Sequence, residues 1–166
     1  KKKFNNISKV IILPCGISSK KESLKLKINT SNSLISTFSD HWNKGRFSSS
    51  KWDKVIEVET ITLDQLINDY GHPGFIKIDV EGFEFEVLKG LTKKTGIISF
   101  EFTSEFFKDA IKCLDYLNKL GYKKFNYSEG ERKKFNFDWT SKDKILEEIE
   151  NKIKTSNYLW GDIYAQ

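Results

Sequence analysis

Asp79 and Glu81 are separated by a single valine and followed directly by Gly82. A third acid, Glu101, lies near the end of the apolar run Gly96–Phe102. Carboxylates brought close together suit three kinds of chemistry. One can take a proton from a nucleophile, because like charge raises the pKa of one member of a close pair. They can hold a cationic group, or they can share a metal ion. No histidine stands at ligand spacing from them; His41 and His72 read as solvated loop residues, and no metal is assigned. The competing reading of Asp79 and Glu81 is purely structural: acids favour the N-terminus of a helix.

The flanking pattern positions these acids. Phe75 to Val80 is an apolar run broken only by Lys77, entered from Gly71-His-Pro-Gly74, and reads as a buried strand. Glu84, Val87, Leu88 and Leu91 then fall on one face of a helix. Asp79, Glu81 and Gly82 therefore sit in a strand-to-helix turn. In open parallel sheets, ligands bind outside the carboxyl ends of strands. Gly82 lets the backbone turn sharply there.

The string Lys77-Ile-Asp-Val-Glu-Gly82, with Glu84, Val87-Leu88 and Gly90, resembles the signature of the FkbM-type methyltransferases. Thr62-Leu-Asp64 is similar to that family's TLD element, and Gly161-Asp-Ile-Tyr164 to its last strand. The resemblance runs from about Val10 to the end of the chain. It implies a Rossmann-like α/β sheet of order 3-2-1-4-5-7-6, with S-adenosyl-L-methionine as cofactor and O-methylation of a sugar or secondary metabolite as reaction. On that map Val10–Leu13 is the third strand, Phe75–Val80 the fourth and Ile97–Phe102 the fifth. Asp79 and Glu101 then face one cleft, and Asp79, Glu81 and Glu101 are the candidate catalytic acids. Cys15 and Gly16, after the third strand, and Asp79 border the cofactor. Arg46 and Trp42 are the candidates for the acceptor side; a lone Arg among lysines suggests a fixed fork for an acidic group.

The sheet implied by the resemblance is incomplete in this chain. The first two strands and the glycine-rich loop are missing, and no Gly-x-Gly occurs. The chain also lacks methionine, even as its first residue. Residues 1–166 are thus expected to be the C-terminal portion of a single methyltransferase domain. Alone, they are expected to fold poorly or bind no cofactor, since the missing strands belong inside the sheet. Two other readings stand beside this one: a non-catalytic remnant or interaction module, and a nucleotide-binding protein of another chemistry.

Composition agrees with one ordinary globular domain of 166 residues, 38% hydrophobic and 31% charged. The net charge of +5 comes almost entirely from lysine, without a basic stripe interleaved with exposed aromatics, so nucleic acid is not an expected partner. A small-molecule or glycan acceptor is. No apolar run approaches a membrane span. Cys15 and Cys113 match no metal or redox spacing; two buried, reduced thiols and a cytoplasmic setting are expected.

Elsewhere, Ser23–Asn29 alternates strictly and predicts an antiparallel strand. Thr30–Lys54 is irregular but carries Phe38, Trp42, Phe47 and Trp52; with Ser36-Thr-Phe38 it is expected to form a lid or acceptor wall, or else to cover the core. Val55–Ile61 is a strand, and Thr62 with Gln65 forms a capping box for the next helix. Helices follow over about Ser104–Leu120 and Lys142–Lys154. Strands are expected from Tyr122 and over Tyr158–Tyr164.

Overall fold

The computed structural model describes residues 10–44, 47–132, 134–135, 137–156 and 158–166. The described residues form two sheets. The smaller has the order β1-β3-β2, where β1 is Gly16–Ile17, β2 is Ser23–Ile28 and β3 is Lys54–Ile61. The larger contains β4 (Phe75–Ile78), β5 (Ile97–Thr103), β6 (Phe125–Glu129) and β7 (Trp160–Ala165), in the order β4-β5-β7-β6. β4 and β5 are parallel, and β7 runs antiparallel to both of its neighbours. This is the 4-5-7-6 half of the expected order.

The described residues also form four α-helices: α1 (Leu63–Tyr70), α2 (Glu84–Lys89), α3 (Phe107–Lys119) and α4 (Lys142–Thr155). Their starts and stops follow from local chemistry. The Thr62 hydroxyl accepts the Gln65 N–H and caps α1, and Gly71 closes that helix at φ 91°. The Ser141 hydroxyl accepts the Lys144 N–H and caps α4. None of these helices is long and apolar enough to cross a membrane.

The core lies on one face of the larger sheet. Ile98, Phe100, Ile163, Phe125 and Tyr127 are fully buried there, against Leu114 and Leu117 of α3 and Ile145 and Ile149 of α4. Val87, Leu88 and Leu91 join them from the α2 segment. Each large side chain withdrawn from water contributes about 1.5–3 kcal/mol.

Two expectations are corrected. Val10–Leu13 forms no strand; the first strand begins only at Gly16. Val10, Ile11 and Ile12 remain 42%, 67% and 43% exposed. Their β-branched composition favours a pleated, half-buried surface, but among the described residues no strand pairs with them. Nor is β4 buried on both sides. Among the described residues it pairs only with β5, leaving Phe75 52% exposed and Ile78 alone fully enclosed. Cys113 is buried as expected, whereas Cys15 is half-buried; both thiols are free.

Candidate active site

The turn after β4 is built from its backbone outward. Glu81 has φ 53°, the one non-glycine positive φ among the described residues, and Gly82 follows at φ 87°. This double left-handed bend reverses the chain between Ile78 and α2. It turns Asp79 and Glu81 toward the end of β5, where Glu101 stands. One carboxylate oxygen from each of Asp79, Glu81 and Glu101 lies within 4.8 Å of the others. This is a spacing that also suits a cation, and the ligand set would be all oxygen, the kind that hard divalent ions prefer.

The three acids open into a cleft of about 640 Å³. Lys77, Trp160 and Asp162 line its floor; Leu34 and Ser36 form a wall from the segment between β2 and β3. Register explains the floor. Lys77 pairs with Ser99, and Glu101 stands opposite Asp162, so all four side chains share one face of the sheet. Lys77 Nζ bonds Asp162 at 2.5 Å and reaches Asp79 at 3.3 Å. Burial works against the charge of Lys77, but Asp162, and then Asp79, outweigh it and hold the amine above the ordinary lysine value.

Glu101 has no such partner. Burial first, then the like charges of Asp79, Glu81 and Glu84, push its carboxyl up to about 8. Glu84 is 9% exposed, and burial raises it to about 7, against hydrogen bonds from the backbone of Gly82 and Val80 that pull the other way. The site thus contains a carboxyl that gives up its proton close to neutral pH, beside an exposed carboxylate, Asp79. That pair suits proton transfer from a hydroxyl.

Asp79, Glu81 and Glu101 are therefore brought together. Trp42 lies beneath the turn: it is 3% exposed, its ring sits 5.3 Å from Phe106 and 5.5 Å from Phe47, and it packs against Gly82. Cys15 and Gly16 do not line the cleft. Gly16 pairs with Thr60 and lies against the Phe38 ring, which in turn contacts Phe83. Arg46 falls outside the described residues. His41 and His72 are exposed, as expected.

Sequence reasoning missed Lys77 and Asp162 as a pair, and it counted Glu84 only as part of a helix face. Lys77 was visible as the one charge in an apolar strand. Two of the quoted motif positions turn out to join elements. Asp64 accepts bonds from the Thr92 N–H at 3.0 Å and the Thr92 hydroxyl at 2.7 Å, tying α1 to the end of α2. Gly90 lies so close to the Ser18 carbonyl that a Cβ would not fit.

An acid-rich turn at the carboxyl end of a parallel strand, facing an open cleft, lies where open α/β sheets bind their ligands. The family described as Methyltransferase FkbM domain matches residues 1–124, three quarters of the chain, and the chain belongs to that family. No match was found among curated proteins or among solved structures.

Proposed function

We propose that this chain belongs to an S-adenosyl-L-methionine-dependent O-methyltransferase acting on a hydroxyl of a sugar or secondary metabolite. The observation that carries this reading is the convergence of Asp79, Glu81 and Glu101 in one open cleft. S-Adenosyl-L-methionine supplies a methyl group on a positively charged sulfur. The donor set fits the cationic part of such a cofactor. Asp79, 52% exposed, offers its carboxylate to an ammonium group or to an acceptor hydroxyl. Glu101 is the base once it has lost its proton: raised to about 8, its carboxylate then takes a proton more readily than an ordinary one, so turnover should rise as pH approaches 8. Burial, then the charges of Asp79 and Glu81, raise Glu101 to that value. Leu34 and Ser36 line the same cleft and would lie beside a bound acceptor.

The cofactor's remaining parts find no glycine-rich cradle among the described residues. The open edge of β4 accounts for this. Beside it runs an apolar groove of about 380 Å³, lined by Ile11, Leu13, Leu66, Ile67, Phe75 and Ile76 among others. In this reading the sheet continues past β4 in the working protein, and residues 1–166 are the C-terminal portion of one methyltransferase domain. Two free cysteines are in keeping with a cytoplasmic setting.

The test has two arms. Titration calorimetry of residues 1–166 with S-adenosyl-L-methionine should give no binding in the micromolar range; micromolar affinity sinks the incomplete-sheet reading. In a longer protein with measured methyl transfer, Asp79→Asn should lower turnover while the fold persists. Unchanged turnover removes Asp79 from the catalytic groups and favours a non-catalytic module, in which the turn serves only folding.

A further inference from the structure

The left-handed conformation of Glu81 is unfavourable for a residue with a side chain, so something must hold it. α2 does not do so by an ordinary cap: its N-cap residue, Phe83, makes no side-chain capping bond. Three side chains from separate places surround the bend instead. Glu84 folds back from the first position of α2, and its Oε1 accepts the N–H of Gly82 at 3.1 Å and of Val80 at 3.3 Å. These are the two residues flanking Glu81. From the other side, the Thr37 hydroxyl donates to the Glu81 carbonyl oxygen at 2.6 Å. Thr37 is 1% exposed and its backbone pairs in both directions with Lys27, so the bond ties the bend to β2. From below, the Trp42 ring presses on Gly82 so closely that a Cβ there would meet Cε3 at 2.6 Å.

We propose that Glu84, Thr37 and Trp42 are positioning residues which together hold the bend at Glu81–Gly82 left-handed and so keep the Glu81 carboxylate grouped with Asp79 and Glu101. The segment between β2 and β3 then belongs to the site's machinery through Thr37 and Trp42, in addition to walling the cleft. The functional weight of this clamp rests on the reading of the three carboxylates as the working groups. Its geometry does not.

The experiment is nuclear magnetic resonance of the full chain, reading the φ of Glu81 from its backbone coupling and Cα shift. Thr37→Val and Glu84→Ala should each move Glu81 to negative φ, while amide shifts in β5 and β7 stay in place. Thr37→Ser and Glu84→Gln should restore the bend, since a serine hydroxyl can still donate and a glutamine oxygen can still accept both N–H groups. Mere packing would not follow that rescue pattern. Glu81 remaining at positive φ in both Thr37→Val and Glu84→Ala overturns the proposal. Should Glu84→Ala not fold, the Thr37→Val and Thr37→Ser pair decides it. Where methyl transfer is measurable, a bend released by Thr37→Val with kcat unchanged counts against the carboxylates as working groups, and not against the clamp.

Discussion

The two faces of the β4-β5-β7-β6 sheet are made from alternate residues of the same strands, yet they obey different physics. One face carries Ile78, Ile98, Phe100, Phe102, Ile163, Phe125 and Tyr127, all buried beneath helices. The other carries Lys77, Ser99, Glu101, Asp162, Tyr164, Asn126 and Ser128, set in rows by the same registers. The first face is held by removal of apolar surface from water, which is non-directional and tolerant. The second groups Glu101 with Asp79 and Glu81, and burial together with those like charges leaves a proton on Glu101, with Lys77 pulling the other way. Apolar burial is concentrated on one side and charge on the other, and a strand's two-residue period separates them.

Substitutions that respect or break this division should sort by size. Phe100→Ala, on the apolar face, should cost about 3–5 kcal/mol, seen as a lower denaturant midpoint with an unchanged m-value. A cost below about 1 kcal/mol would mean that this face is not the core. On the polar face, Asp79→Asn should leave that midpoint nearly unmoved while lowering kcat roughly 100-fold in an active longer protein.

The pH response follows from the raised carboxyls. In the folded chain Glu101 and Glu84 keep their protons to about 8 and about 7, against an ordinary value of 4.5. Between those limits the folded state binds more protons than the unfolded one. The contribution of these groups to stability is therefore complete below about 4.5 and is lost as pH rises through 8. Glu101 is partly open to solvent, and screening trims the effect to about 1–2 kcal/mol, or roughly 5 °C in Tm. Calorimetry from pH 5 to 8.5 should show the fall, and Glu101→Gln should flatten it; a Tm that climbs over that range refutes the account.

Lys77→Met should cost about 1 kcal/mol and raise the Glu101 pKa further, because the amine lowers it. Carboxyl titration by nuclear magnetic resonance reads this, and a Glu101 pKa that falls would show that Lys77 does not balance the site. Smallest of all, Leu34→Ser, at a residue 80% exposed, should change stability by under about 0.5 kcal/mol in a thermal melt.

Much of this division was legible in advance. The strict alternation of Ser23–Asn29 predicted an antiparallel strand, and β2 pairs antiparallel with β3. The capping box at Thr62 and the Val87-Leu88-Leu91 face were readable because each involves residues within one or two helical turns. Val10–Leu13 misled because an apolar run becomes a strand only with a partner. That Trp42 covers the core agrees with the reading of its aromatic segment, but its partners Phe47, Phe106 and Gly82 were not legible, because no sequence period relates them.

By itself, the sequence determined the order and kind of most strands and helices, the caps of α1, the apolar faces of the helices, and that two acids stand in a turn after β4. These are short-range matters of periodicity, capping and turn chemistry. The tertiary structure alone decided that Lys77 meets Asp162 across 85 residues of chain, that Glu84 clasps the bend, and that Glu101 is the acid raised by burial and by its acidic neighbours. Register between distant strands is set by the packing of the apolar face, and the charges on the opposite face take whatever neighbours that packing assigns them.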